Sequence, residues 1–252
     1  MIDTDRPYPT DTPHVLAAGH SQIDSPIVPA PLLDSHVVRY PRSIMSWLFA
    51  TIYDPFMRGT ERACLGAWRA ELLEDAAGEV LEIGAGTGAN VSFYGEAVTR
   101  LVLTDPDAHM RERLSQRIAR DDVRRAEVQS VSADLLPFDD ASFDTVVSTL
   151  VLCSVSDLDA SLAEIRRVLR PDGRFLYLEH VAAEDNPERL AWQRRLEPMW
   201  RRVSGNCHLT RRTSGAIRAA GFDIEREKRE SVRKALPFIR PSVRGVAKLR
   251  RA

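Results

Sequence analysis

The sequence contains few cysteines and no long hydrophobic run. Cys64, Cys153 and Cys207 are odd in number and far apart, so they fit neither a disulfide framework nor a zinc motif. We therefore expect no metal site and a reducing, cytoplasmic setting. The longest apolar stretches, SIMSWLFATI and VVSTLVLCSV, are shorter than the roughly 20 residues of a membrane-spanning helix. The N-terminal stretch also lacks the basic start and apolar core of a signal peptide, so we expect none.

A large net charge is also missing, since the formal charge of the 252 residues is −1 at pH 7. The charge is unevenly distributed, because residues 189–252 contain 18 Lys and Arg but 5 Asp and Glu. This basic third predicts either a solvated arginine-rich face or peripheral contact with an anionic membrane. We expect no nucleic acid partner, because TLVLCSV at 149–155 offers no side-chain acceptors for a flipped base.

The N-terminal part differs in composition from the rest of the chain. Residues 1–41 contain seven of the fifteen prolines and little apolar periodicity, which predicts a flexible arm before a domain at 42–252. Residues 42–78 are predicted to form a helical lid, because apolar residues recur there at three- and four-residue spacing. Those residues are Ile44, Trp47, Leu48, Ile52 and Phe56. We expect Pro55 to break this helix.

Strands and helices alternate from residue 79 onward. Apolar strands are predicted at EVLEIG, RLVLTD, AEVQSVSA, FDTVVSTLVL and PDGRFLYLEHV. The predicted helices lie near 88–96 and at 107–120, 157–170, 187–203 and 210–220. GFDIEREKRE and PSVRGVAKL predict a terminal strand pair. Because strands that alternate with helices pair in parallel, we expect an α/β fold with helices on both faces of the sheet.

The stretch LEIGAGTGAN combines a buried strand with a glycine turn. Gly84, Gly86 and Gly88 stand where the strand ends, a place where backbone amides can approach a ligand. Asp105 ends the next strand, 21 residues after Gly84, and its carboxylate can accept both hydroxyls of an adenosine ribose. GAGTGA also matches the dinucleotide fingerprint, so the turn alone leaves a nicotinamide cofactor and another adenosine cofactor open.

Two further acidic residues bear on this choice. Glu82 lies two residues before Gly84, where a negative charge suits an ammonium or sulfonium group better than a diphosphate. Asp134 in SADLLPF follows the third strand at the same edge of the sheet, and its carboxylate can accept a hydrogen bond from an adenine amino group. The three carboxylates therefore favour an adenosine cofactor with a cationic end.

Several segments resemble, in their order and spacing, the class I S-adenosylmethionine-dependent methyltransferases. These segments are VLEIGAGTGAN, LTDPD, SADLLPF and FDTVVSTLVLCSV with EIRRVLRPDGRFLYLEH. The resemblance covers about residues 79–182 and implies a Rossmann-like three-layer sandwich with a seven-stranded, mostly parallel sheet and an antiparallel last strand. It also implies S-adenosyl-L-methionine as the cofactor. The residues that it assigns to cofactor binding are Glu82, Gly84, Gly86, Gly88, Asn90, Asp105, Pro106, Asp134, Leu135 and Thr149.

A closer resemblance extends beyond this core. Four more segments resemble the animal methyltransferase-like proteins that S-methylate small alkyl thiols. They are FYG, LEHVAAE, WQRRLEPMWRRVSGNCHLTR and IRPSVRGVAK. The likeness covers most of residues 50–249 and implies a small lipophilic acceptor, a thiol. Related bacterial sequences resemble phospholipid-amine and quinone or phenol methyltransferases, so those acceptors stay open. A nicotinamide-dependent oxidoreductase and a non-catalytic cofactor-binding module are the alternatives from other classes.

Methyl transfer by in-line displacement mainly needs the acceptor to be aligned with the activated methyl group. A thiol attacks best as a thiolate, so a general base helps, and His180 at the end of the fifth strand is the first candidate. His208, which follows Cys207, is the second. The residues predicted to line the acceptor pocket are Tyr53, Phe56, Tyr94, Trp192, Trp200 and Cys207. A purely structural role is the alternative for these histidines, tryptophans and cysteines, and Cys153 is predicted to be buried packing.

Overall fold

The computed structural model of the chain describes residues 44–251, without the side chains of residues 44–46, 48 and 49. The predicted arm at 1–41 lies outside the described residues, as do the first two positions of the predicted lid.

A single sheet forms the centre of the described domain. Its strands are β1 Gly78–Ile83, β2 Val98–Thr104, β3 Ala126–Gln129, β4 Phe143–Thr149, β5 Leu169–His180, β6 Phe222–Ser231 and β7 Pro241–Leu249. Their order is β3-β2-β1-β4-β5-β7-β6. The first five strands pair in parallel, whereas β7 runs antiparallel to both β5 and β6. The prediction of a seven-stranded, mostly parallel sheet with an antiparallel last strand is confirmed.

The helices of the described chain begin close to the positions that the sequence predicts. They are α1 Ile44–Thr60, α2 Gly66–Leu73, α3 Ala108–Arg120, α4 Leu158–Val168, α5 Pro187–Val203 and α6 Thr213–Ala219. The start of α3 is capped by the Asp107 side chain, which accepts hydrogen bonds from the backbone amides of His109 and Met110. Asp157 and Asn186 cap α4 and α5 in the same way, so local capping explains where these helices begin.

The prediction that Pro55 breaks the N-terminal helix is wrong, since Pro55 lies inside α1. Two contacts in the turn before Pro55 hold α1 against the rest of the domain. Arg113 donates a hydrogen bond to the Thr51 hydroxyl at 3.0 Å, and the Thr87 hydroxyl donates to the Asp54 carboxylate at 2.6 Å. Tertiary contacts thus offset the lost backbone hydrogen bond. A π-helical segment at Glu61–Leu65 continues the helical path into α2.

The prediction of a helix near residues 88–96 is also wrong. The structure has turns there, with one 3₁₀ turn at Val91–Phe93. The reason is that the Asn90 amide and the Tyr94 hydroxyl both donate hydrogen bonds to the buried carboxylate of Glu82, at 2.9 Å and 2.6 Å. These side chains fix the segment against the end of β1 in place of a regular helix.

Alternation along β1 assigns its side chains to the two faces of the sheet. Leu81 and Ile83 pack in the core that contains residues of α4 and α6. Val80 packs in the other core, with residues of α2 and α3. The three-layer sandwich is therefore confirmed, and Glu82 faces the same layer as Val80, which is the layer of α2.

The surface of the C-terminal third combines ion pairs with exposed apolar groups. Arg244 pairs with Glu230 at 2.5 Å and with Glu71 at 2.8 Å, so part of the predicted positive charge is neutralised within the domain. On α5, Trp192, Met199 and Val203 are each more than half exposed. Along residues 44–251 no helix is both long and apolar enough to cross a membrane. Peripheral membrane contact remains a prediction.

Candidate active site

The carboxyl end of β1 carries a buried hydrogen-bond network. Glu82 is 1% exposed, and its two oxygens accept from Asn90 Nδ2 and from the Tyr94 hydroxyl. Burial raises the pKa of Glu82, whereas the bonds from Tyr94 and Asn90 and the nearby Arg69 guanidinium lower it. The network holds a carboxyl group directly beneath the glycine turn, and Tyr94 belongs to this network.

Arg69 of α2 is a site residue that the sequence analysis missed. It is 3% exposed, and its Nη1 donates to Asn90 Oδ1 and to Thr149 Oγ1, both at 2.8 Å. Its Nη2 pairs with Glu61 at 3.1 Å. Arg69 thus joins α2, the glycine turn and the end of β4. Arg69 lies at helical spacing from the buried Leu65 and Leu72, so it shares their helix face. This spacing could have indicated that Arg69 is buried.

The glycine turn meets the end of β2 at Asp105. The backbone amide of Gly86 donates to one Asp105 oxygen at 2.9 Å, and the amide of Asp107 donates to the other at 2.8 Å. Asp105 is 8% exposed, and burial is the main reason that its pKa is raised to about 6. Each oxygen still has a lone pair for a further donor, as a ribose requires.

Two of the glycines are needed for different reasons. Gly84 has a φ of +59°, and an added Cβ would lie 2.5 Å from Val151 Cγ2, so packing and backbone conformation both require glycine. Gly86 has a φ of +56°, but its added Cβ would meet no atom within 4 Å. The turn therefore presents bare backbone to open space beside Asp105. This arrangement fits the amino-acid and ribose portions of S-adenosylmethionine.

The predicted adenine residues lie near the end of β3. Asp134 accepts a short hydrogen bond from the Ser132 hydroxyl, and Ser132 forms an isolated β-bridge with Leu135. The Leu135 side chain is 54% exposed, and Pro106 is partly buried between the two aspartates at the end of β2. Contact of these residues with adenine remains a prediction.

A second cluster of polar groups lies at the end of β5. His180 is 5% exposed, and its Nδ1 lies 3.9 Å from the Cys207 sulfur. Its Nε2 is buried and has no hydrogen-bond partner among the described residues. A buried ring nitrogen is normally paired, so this orphaned nitrogen marks a place where a ligand atom can bind.

The neighbouring Glu179 fixes the loop after β4. One of its oxygens accepts from the Ser148 hydroxyl at 2.6 Å, and the other accepts from the backbone amide of Cys153 at 3.3 Å. Cys153 is buried as predicted, and its carbonyl accepts a hydrogen bond at 2.8 Å from the backbone amide of His208, which brings Cys207 close to it. The sequence analysis missed this proximity because the two cysteines are far apart in the chain. His180, Cys153 and Cys207 therefore form one cluster.

The other predicted acceptor residues fall into two groups. Tyr53 is close to Arg69 and Cys153, and burial raises its pKa to about 12, so its phenol stays neutral. Trp200 packs edge-on against Phe238 with ring centroids 5.2 Å apart, and it is one of the groups that lower the pKa of Cys207. By contrast, Phe56 and Trp192 are 60% and 57% exposed. Their place in an acceptor pocket remains a prediction.

His208 lies on the outer side of the same loop. Its Nδ1 is 3.7 Å from Glu197, while its backbone amide donates to the Cys153 carbonyl at 2.8 Å. Burial is the main cause that lowers the pKa of His208, and Arg211 and Arg201 lower it further. The structure thus places the His208 side chain beside a carboxylate, and its catalytic role remains a prediction.

The sheet order, the bare glycine turn and the carboxylate at the end of β2 together define a class I S-adenosylmethionine-dependent methyltransferase. Residues 81–177 match the family model described as "Methyltransferase domain". The chain is 34% identical over 206 residues to human thiol S-methyltransferase TMT1A, covering 79% of this chain and 82% of the relative. It is 38% identical to human thiol S-methyltransferase TMT1B, with coverage of 69% and 73%.

The chain belongs to the S-adenosylmethionine-dependent methyltransferase family, close to the thiol S-methyltransferases. The prediction of S-adenosylmethionine, and not a nicotinamide, as the cofactor is thus confirmed. Among solved structures, Bacillus subtilis YcgJ is similar with a TM-score of 0.60 and 18% identity, covering 74% of this chain and 97% of that one. The [4+2]-cyclase SpnF has a TM-score of 0.63 and 15% identity, with coverage of 82% and 95%. These likenesses show the fold.

Proposed function

We propose that this methyltransferase transfers a methyl group to a small lipophilic thiol, with His180 as the general base. The observation that carries the proposal is the buried Nε2 of His180, which has no partner among the described residues while Nδ1 faces Cys207. The similarity to TMT1A and TMT1B, which are named as thiol S-methyltransferases, supports the same acceptor class.

The geometry supports separate roles for the cofactor-binding residues and the acceptor-binding residues at this edge of the sheet. Bound S-adenosylmethionine supplies an activated methyl group on a sulfonium centre. Asp105 and the open backbone surface at Gly86 would hold its ribose and amino-acid portions. His180 Nε2 accepts the proton of the acceptor thiol, which leaves a thiolate ready for in-line attack. Glu179 holds the loop that carries Cys153, so the acceptor side keeps a fixed position.

The surroundings of His180 favour an apolar acceptor. Trp200 and Phe238 form an aromatic wall, and the buried phenol of Tyr53 remains uncharged. Such a wall binds an alkyl or aryl thiol through burial of apolar surface, at about 25 cal/mol per Å². Phospholipid amines and quinones or phenols are the competing acceptor classes.

The test compares the wild type with His180→Ala, using labelled S-adenosylmethionine and a panel of thiols, phospholipid amines and phenols. We expect thiols to be methylated fastest and the variant to lose about 100-fold in kcat/KM with an alkanethiol. With a more acidic aromatic thiol the loss should be smaller, because that thiol is already ionised without a base.

His109→Ala, on α3, is the matched histidine control and should behave as the wild type. His208→Ala tests the second candidate. An equal loss with both thiols in His180→Ala, or a larger loss in His208→Ala, would contradict the role of His180. Faster methylation of an amine or a phenol would contradict the thiol proposal.

A further inference from the structure

The two cysteines beside His180 are held together by the backbone. The amide of His208 donates to the carbonyl of Cys153 at 2.8 Å, so Cys153 forms one end of this hydrogen bond and Cys207 directly precedes the residue at the other end. The amide of Cys153 is in turn held by Glu179 at 3.3 Å. Both thiols are free, and backbone hydrogen bonds hold the two loops next to each other.

The two thiols have different environments. Cys153 is 3% exposed, whereas Cys207 is partly exposed and lies 3.9 Å from His180 Nδ1. Contact with Cys153 is the largest cause that lowers the pKa of Cys207, and His180 lowers it too, although burial opposes them. The pKa of Cys153 is raised well above its usual value by Cys207 and by burial. A partly exposed thiol beside a buried thiol is the arrangement of an attacking and a resolving cysteine.

We propose that Cys207 and Cys153 form a thiol–disulfide exchange site that reduces small organic disulfides. The Cys207 thiolate attacks one sulfur of the disulfide, forming a mixed disulfide and releasing the other half as a thiolate, which takes up a proton. Cys153 then loses its proton and attacks the Cys207 sulfur. A Cys153–Cys207 disulfide forms, and the second half leaves as a thiol.

The electrons balance in this sequence. The small disulfide gains two electrons, which the two cysteines lose. One of the two protons that it takes up leaves Cys153, and the other is the proton that Cys207 released to water when it ionised. An external dithiol, such as dithiothreitol, returns the pair to its reduced state. The exchange releases thiols beside His180, and the consequence that these thiols become methyl acceptors rests on the proposed function above.

The experiment uses the full chain and 2-hydroxyethyl disulfide, without any methyl donor. Intact-mass measurement should show the wild type losing two hydrogens without a lasting adduct, and peptide mapping should find Cys153 linked to Cys207. Cys153→Ser should retain one mixed-disulfide adduct on Cys207. Cys207→Ser should release thiol at least about tenfold more slowly, because the remaining thiol is buried.

The third cysteine provides the matched control. Cys64 is 2% exposed on the π-helical segment, and Cys64→Ser should react as the wild type does. An unchanged rate in Cys207→Ser, or a wild type in which Cys153 and Cys207 stay unlinked, would overturn the proposal. The wild-type mapping decides the matter even if a variant fails to fold. Because no methyl acceptor is assayed, failure of the proposed thiol methylation leaves this result standing.

Discussion

The two halves of the carboxyl edge of the sheet differ in how their buried polar groups are satisfied. Around the glycine turn, Glu82, Asn90 and Asp105 all form hydrogen bonds within the protein. Around the end of β5, His180 Nε2 is buried without a partner among the described residues. Because an unpaired buried polar atom is costly, we expect the glycine-turn half to be preorganised for the cofactor and the β5 half to be completed by a bound acceptor.

The largest effect that would sharpen this comparison comes from Asp105→Asn. Removing the negative charge weakens the hydrogen bonds from the ribose hydroxyls, each of which is worth about 1.5–3 kcal/mol when charge-assisted. We expect the affinity for S-adenosylmethionine to fall about 100-fold by calorimetry. Asp107→Asn is the matched control, since asparagine also caps a helix well, and its affinity should be nearly unchanged. Equal affinities in both variants would show that Asp105 does not hold the ribose.

A second prediction tests whether the preorganised half also stabilises the fold. Arg69→Met should lower the free energy of unfolding by about 2–3 kcal/mol, because Glu61 and the oxygens of Asn90 and Thr149 lose their charged donor. Arg100→Met is the control at the surface. Arg100 is 42% exposed and pairs with exposed carboxylates, so its loss should cost less than about 1 kcal/mol. Urea denaturation measures both, and equal costs would break the comparison.

The sequence predicted which residues meet at the glycine turn because the signals there are local. A glycine turn after an apolar strand and an aspartate at the next strand end depend on a short stretch of chain, and the structure brings Gly86 and Asp105 together. The proximity of Cys207 to Cys153 and His180 depends on three segments that only the completed sheet brings together. Periodicity and spacing carry no information on such a contact.

Arg69 and the segment near 88–96 show a second limit of the sequence analysis. Helical periodicity was the only local pattern at each place, and long-range hydrogen bonds changed the outcome. Arg69 is buried because Asn90, Thr149 and Glu61 surround it. The chain after the glycine turn leaves the helical conformation because Glu82 binds the side chains of Asn90 and Tyr94. Tertiary partners of this kind override propensity.

The smallest expected effect concerns pH and again separates the two halves. Burial is the main cause that raises the pKa of Asp105, from 3.8 to about 6. Between these values the folded protein binds more protons at Asp105 than the unfolded chain does. This carboxyl therefore stabilises the fold as the pH falls from about 6, and its ionisation opposes folding above that value. The ionised form is nevertheless the better acceptor for ribose hydroxyls, so cofactor binding should have the opposite pH dependence.

We expect the affinity for S-adenosylmethionine to fall by up to about tenfold from about pH 7.5 to about pH 5, as a single group with a pKa of about 6 takes up its proton. Calorimetry across this range measures the change. Asp105→Asn cannot titrate at this position, so its weaker binding should remain level over the same interval. A decline of equal size in the variant would assign the titration to another group, with the buried Glu82 carboxyl, whose pKa is also raised by burial, as the next to test.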